Sequence, residues 1–337
     1  MRAIILSGFL TLWAAWVSAF EVEDRAVFGP EAAGDTIKVI STADIAYFEP
    51  MIRSFLDHVP GLRVDYTVAS SSELMKAIQD ERQSFDLAIS SAMDLQTKLA
   101  NDGLAEPHFS DVTSGLPGWA TWNDMVFAFT QEPAAMVLSK DAFADLPIPR
   151  SRQDLIQILR QNPDRFRGRI GTYDVRVSGL GYLFATQDTR ASETFWRLTE
   201  VMGALGAKLY CCSSDMIDDV ERGELAIAYN VLSSYAATRA DTDRFHIVLP
   251  QDFTTVMLRS LLIPVTAQNR EGAERLADHI LSQSFGPDGS PLGGVDLTDL
   301  QAESTLHRIR LGPGLLVFLD QFKKRSFLVE WQSAIVQ

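Results

Sequence analysis

Cysteine is nearly missing from this chain of 337 residues: there are two, Cys211 and Cys212, and they are neighbours. With no third thiol, a framework of disulfides within one chain is excluded. The pair either closes a strained vicinal bond, since adjacent residues leave little room for ordinary disulfide geometry, or rests as two small buried thiols at a strand end. Histidine is scarce too, and five scattered copies beside two cysteines exclude a structural zinc site. Positive charge is in deficit, with 30 Lys and Arg against 44 Asp and Glu and a formal charge of −14. So acidic a surface repels nucleic acid and anionic lipid, which removes both as partners, although a cleft can be locally positive against the net field. Catalytic signatures are lacking as well: there is no G-x-S-x-G elbow, no H-E-x-x-H and no P-loop, and the histidines pair with no nucleophile. The adjacent cysteines lack the C-x-x-C spacing of redox pairs. The expectation is a protein that is not an enzyme and needs no cofactor or metal.

Long apolar runs are limited to one. Arg2 precedes the stretch Ala3 to Val17, and Val17-Ser18-Ala19 supplies small residues at a cleavage point. The run is short for a bilayer span, so residues 1–19 read as a signal peptide cut near Ala19, which sends the chain to the periplasm. No Cys follows the cut to carry a lipid. What remains is longer than one core usually organises, so two lobes are expected. No solenoid repeat and no low-complexity tract interrupts it.

Residues 20–35 are polar, punctuated by Gly and Pro, and read as a flexible lead. Beyond them strands and helices alternate. Ile37 to Ile40 is a strand; Ile45, Phe48, Met51, Ile52 and Phe55 fall on one helix face; Leu62 to Val68 and Asp86 to Ile89 are further strands. Such alternation implies parallel pairing and sheets covered on both faces. Trp122 to Thr130 is a longer β-type run leading out of this first unit. A second unit follows, with strands at 169–173, 207–210 and 225–229, and Thr254 to Val265 leads back. The tail from Ala273 is helical.

One pattern recurs: a strand, then Ser, Thr, Gly or Asp, then a helix. It stands at Ser41-Thr42-Ala43-Asp44, Ser70-Ser71-Ser72, Ser90-Ser91, Ser178-Gly179-Leu180-Gly181 and Ser213-Ser214-Asp215. Each is a good helix cap. Several helix starts aimed at one cleft would also cradle an anion, because their free N–H groups and positive dipole ends add up.

The segments ISTADIAYFEPMIRSF, DLAISSAMDLQTKLANDG, IGTYDVRVSGLGYLFATQD and ELAIAYNVLSSYA resemble extracellular solute-binding proteins of ABC importers, in the branch that binds ferric iron or phosphorylated sugars. The resemblance implies an α/β chain with the two-lobed type 2 periplasmic binding protein fold. Each lobe is a mainly parallel sheet flanked by helices, and two β crossovers join them. Lobe 1 is expected over 36–124 plus 260–337 and lobe 2 over 125–259, closing on ligand by hinge motion. It further implies delivery to an ABC permease or, in some relatives, signalling to a sensor kinase ectodomain; a monomer is expected.

Ferric-binding members use neighbouring tyrosines near Tyr229. Here Tyr229 is followed by Asn230, the next tyrosine is Tyr235, and the first loop carries Thr42, Ala43 and Asp44 with no His or Glu. The chain departs from the iron pattern, and Tyr229 reads as a hydrogen-bond donor to an organic ligand. Arg176 is the anchor expected for a small anionic solute, its fork closing on carboxylate or phosphate with Ser178 and the Gly179 N–H opposite. The alternative is an ion pair with Asp174. Thr42, Asp44, Ser90, Ser91, Tyr173, Ser213, Ser214 and Asn230 complete the expected ligand contacts.

Overall fold

The computed structural model describes residues 19–31, 34–239, 242–286 and 306–336; the signal segment expected over 1–19 lies outside them, apart from Ala19. Strands form where short β-branched or apolar runs lack helical spacing. In chain order they are β1 (Asp24–Phe28), β2 (Asp35–Ser41), β3 (Leu62–Val68), β4 (Leu87–Ser90), β5 (Ala105–Glu106), β6 (Thr121–Trp122), β7 (Val126–Ala128) and β8 (Glu132–Ser139). There follow β9 (Ile170–Tyr173), β10 (Lys208–Tyr210), β11 (Ile227–Leu232), β12 (Phe245–Val248), β13 (Thr254–Met257), β14 (Ser260–Pro264) and β15 (Leu306–Arg308).

These make two sheets. The first runs β1-β3-β2-β4-β14-β7-β6, with β5 beside β14; the second runs β10-β9-β11-β8-β13-β15, with β12 beside β8. Strand β2 is parallel to β3 and β4, setting Val39 between Tyr66 and Leu87, and β9 is parallel to β10 and β11. Helices cover both faces, as a parallel sheet requires. In lobe 1 the helix Ile45–His58 buries Phe48, Met51, Ile52 and Phe55 against Ile37, Val39 and Val64. Each large apolar side chain so buried contributes about 1.5–3 kcal/mol. In lobe 2, Leu155, Leu198 and Trp331 belong to one core cluster and Leu183, Phe184 and Met216 to another.

The expected crossovers are present, though shorter than the runs suggested. Strand β7 still belongs to the first sheet and β8 to the second, so the chain crosses at 129–131 rather than at 125. The run 254–265 divides into β13 and β14, one in each sheet, and crosses at Leu258 and Arg259. The two crossings are tied together, since Phe129 N donates to the Arg259 carbonyl at 2.9 Å and Arg259 N to Thr130 Oγ1 at 3.1 Å.

Two further boundaries move. The polar lead holds β1, antiparallel to β3 with Ala26 opposite Tyr66. The tail does not all belong to lobe 1: β15 joins β13, and helix Gln321–Ile335 puts Phe327, Trp331 and Ile335 into the lobe 2 core beside Phe195 and Leu198. Apolar surface on the last helix is buried there, which is why the chain returns to lobe 2. The lobes touch across the cleft: Ser72 Oγ donates to the Val177 carbonyl at 2.8 Å, and the rings of Tyr47 and Tyr235 stack with centroids 5.2 Å apart.

Candidate ligand-binding cleft

Between the lobes lies a cavity of about 60 Å³ walled by Thr42, Asp44, Ser70, Ser71 and Ser91 from lobe 1 and by Tyr173, Ser178, Ser213, Ser214 and Tyr235 from lobe 2. The strand-to-helix pattern explains the convergence. Strands β2, β3 and β4 are parallel, so the helices that follow them, Ile45–His58, Ser71–Met75 and Met93–Asn101, all begin at one sheet edge. Strands β9 and β10 present Gly179–Ala191 and Ser213–Glu221 likewise from the other side. Five helix starts meet at one cleft.

The hydroxyls both cap and line. Ser70 Oγ accepts from Glu73 N at 3.2 Å, and Ser178 Oγ from Gly181 N at 3.1 Å. Thr42 Oγ1 accepts from Ser91 N at 3.0 Å, which ties two loops of lobe 1. Tyr173 is bonded through its hydroxyl to Ser213 Oγ at 2.5 Å, and Ser213 Oγ also accepts from Leu232 N at 3.1 Å. Burial pushes the Tyr173 phenol above its ordinary range and that of Tyr235 up to about 12. Both face the cavity as neutral hydroxyls.

Glycine does two jobs at the start of the lobe 2 helix. A Cβ on Gly181 would collide with Tyr173 Cβ, so glycine lets the helix settle behind that ring. A Cβ on Gly179 would lie 2.7 Å from Ser71 Oγ, across the cleft.

Several expected contacts lie elsewhere. Arg176 does not reach the cavity. Its Nε and Nη2 donate to Asp174 Oδ1 and Oδ2 at 2.8 and 2.6 Å, and the guanidinium lies 5.9 Å from the Trp331 ring centroid. The fork is filled by the carboxylate two residues earlier, which is the ion-pair alternative. Arg176→Ala is expected to leave solute affinity within about twofold and stability within about 1 kcal/mol, as calorimetric titration and thermal melts would read. Tyr229 and Asn230 are also withdrawn. The register shifts between Tyr229 and Val231, with Asn230 at φ +64°, and such a bulge re-aims side chains. Tyr229 accepts from Arg152 Nε at 2.8 Å, and Asn230 Nδ2 donates to Asp188 at 2.9 Å. They serve a buried network inside lobe 2. Ser90 is buried behind the wall, its Oγ accepting from Ala92 N at 3.1 Å, and Gly179 stands at the contact between lobes rather than on the lining.

Others were overlooked. Glu23 lines the cavity because β1 runs antiparallel to β3, which sets Glu23 N on the Val68 carbonyl at 2.9 Å, next to Ser70. Tyr235 lines it from the short helix Ser233–Ala237 after β11 and holds Asp44 N across the cleft at 3.4 Å. Cys211 and Cys212 form a vicinal disulfide and line the cavity, half-buried. Of the two readings open for that pair, the bonded one is found. The Ser-Ser runs are visible in the sequence; Glu23 belongs to no motif, and Tyr235 stands in the segment ELAIAYNVLSSYA, where nothing marks it as a lining residue.

Charge at the site is negative. Among the described residues lining the cavity none is Lys, Arg or His, and two are Glu23 and Asp44. Desolvation raises the Glu23 carboxyl, helped by Asp44 and Asp215. Desolvation also raises Asp44, opposed by Arg259 and by a bond from Ser214. Among the described residues, one cluster of three potential metal-ligating side chains occurs, Cys211, Cys212 and Asp215, and its sulfurs are spent on the disulfide.

Two α/β lobes, two crossovers and a hydroxyl-lined cleft between them define a two-lobed binding protein of the type 2 periplasmic fold. A family model for bacterial extracellular solute-binding proteins matches residues 37–285, and the chain belongs to that family. It is similar to the substrate-binding protein of an ABC transporter from Agrobacterium tumefaciens, with 31% identity over 93% of this chain and 98% of that one and a TM-score of 0.86. The fold is shared with AfuA from Actinobacillus pleuropneumoniae, solved with fructose-6-phosphate bound (15% identity, 90% and 99% covered, TM-score 0.70). It is shared too with iron-bound HitA from Pseudomonas aeruginosa (18% identity, 89% and 99% covered, TM-score 0.62). No curated protein sequence matches.

Proposed function

We propose that this protein captures a small organic solute bearing a phosphate, phosphonate or carboxylate group in the periplasm and hands it to the permease of an ABC importer. The observation that carries the reading is the meeting of five helix starts from both lobes at one hydroxyl-lined cavity, which supplies N–H and O–H donors to an anionic group. With Arg176 turned away, these donors replace the guanidinium as the anion's partners. Glu23 and Asp44 add acceptors, and they favour solutes that also carry hydroxyls or an ammonium group. A cavity of about 60 Å³ is far below the roughly 300–1,000 Å³ of ordinary ligand pockets. The lobes therefore part to admit a solute and close over it, turning on the crossings at 129–131 and 258–259. Among the described residues no helix is long and apolar enough to cross a membrane.

Calorimetric titration with phosphorylated sugars, aminophosphonates, dicarboxylates and ferric citrate tests the reading. One class of organic anion is expected to bind with micromolar affinity or better; tight binding of ferric ion, with none of the organic anions, would overturn it.

A further inference from the structure

Asp94 occupies the first turn of helix Met93–Asn101, is 3% exposed, and its Oδ1 has no hydrogen-bond partner. The helix belongs to lobe 1, but its start is packed on lobe 2. Met93 shares a core cluster with Leu180 and Leu183 of helix Gly179–Ala191, and the turn Pro313–Leu319 lies against helix Met93–Asn101. The side chains that bear on Asp94 come from lobe 2. They are Tyr182, whose phenol is raised by burial and by the Asp94 charge, and Lys324. Lys324 Nζ sits 5.3 Å from the Tyr182 ring centroid, and the Tyr182 hydroxyl donates to the Phe318 carbonyl. The other charged residues on elements packed around this helix are Glu73, paired with Lys76, Glu106, paired with Arg270, Asp188, paired with Arg152, Arg190 near the far end of helix Gly179–Ala191, and Lys98, paired with Asp102 on the helix itself. Neither these nor Asp80 is among the charges acting on Asp94.

We infer that Asp94 couples lobe closure to proton uptake, because its carboxyl is buried, with one oxygen unpartnered, at the helix start on which lobe 2 packs. Burial pushes that carboxyl up to about 7, against the Leu95 and Asp94 amides and the Lys324 charge. Once the lobes part and water reaches it, the carboxyl returns to the ordinary aspartate range near 4. The closed form then holds more protons than the open form between these values. Acidification favours closure, and raising the pH through about 7 withdraws that support. Two such values make the closed-to-open ratio about tenfold higher at pH 6 than at pH 8. The inference rests on the hinge motion proposed above.

Small-angle X-ray scattering of the solute-free protein reads it directly. The native chain is expected to be more compact at about pH 6 than at about pH 8, and Asp94→Asn compact at both. Lys324→Met, which removes the opposing charge, is expected to move the midpoint to higher pH and serves if Asp94→Asn does not fold. A native chain whose scattering ignores pH, an Asp94→Asn variant that keeps the native response, or an unmoved Lys324→Met midpoint overturns the inference. If compaction follows pH while calorimetry finds no organic anion bound, capture fails and the proton coupling stands.

Discussion

Replacing Glu132 by alanine is expected to cost about 3–5 kcal/mol of unfolding free energy, read by chemical denaturation. Glu132 and Arg259 are both fully buried; Arg259 stands on one crossing and Glu132 opens β8, directly after the other. Arg259 Nε and Nη2 donate to Glu132 Oε1 and Oε2 at 2.9 and 3.1 Å. Thr130 Oγ1 and Ser234 Oγ complete the carboxylate at 2.8 and 2.6 Å. Removing the carboxylate leaves a guanidinium in the core without its ion-pair partner, and Nη1 already has no hydrogen-bond partner. An unpaired buried charge is among the most destabilising changes available to a single substitution. The double change Glu132→Leu with Arg259→Met is expected to cost less than Glu132→Ala alone, since it deletes the charge with its partner. A loss below about 1 kcal/mol for Glu132→Ala would show that water reaches Arg259 and that this pair is not the dry pin of the hinge.

The alternation of strands and helices was legible because apolar spacing is local. The face Phe48, Met51, Ile52, Phe55 is buried as its period requires. Both crossovers were visible as long β-type runs, but not where each run changes sheets, since both sheets present the same apolar pattern. What failed was non-local or hung on one residue. Arg176 is taken by Asp174, and composition cannot tell a filled fork from an open one. Tyr229 left the cleft through a single bulge. Chain order places the last helix in lobe 1 but says nothing about which core receives Trp331, and that core is lobe 2's. Glu23 entered through the pairing of a polar segment with β3, for which no periodicity speaks. The helix-start serines were found because capping chemistry is written in the residues themselves.

Gly179→Val is expected to wedge the cleft open and to weaken solute binding by at least about a hundredfold, or roughly 2.7 kcal/mol. Gly179 is buried at the start of helix Gly179–Ala191, and its backbone does not lie in the left-handed region, so a side chain brings no conformational strain. The obstruction comes from the opposite lobe: an added Cβ would sit 2.7 Å from Ser71 Oγ and 3.0 Å from Leu95 Cδ1. Two further methyl groups have no room while the lobes touch and ample room once they part. The penalty therefore falls on the closed state, and a ligand gains only what closure provides. Unfolding stability is expected to stay within about 1 kcal/mol, because valine is at least as good a helix residue as glycine. Scattering of solute-free Gly179→Val is expected to report a more extended particle than the native chain at about pH 6, where Asp94 otherwise favours closure. An unchanged scattering curve would mean that Ser71 and Leu95 yield to the new side chain, and that this contact does not set how tightly the lobes close.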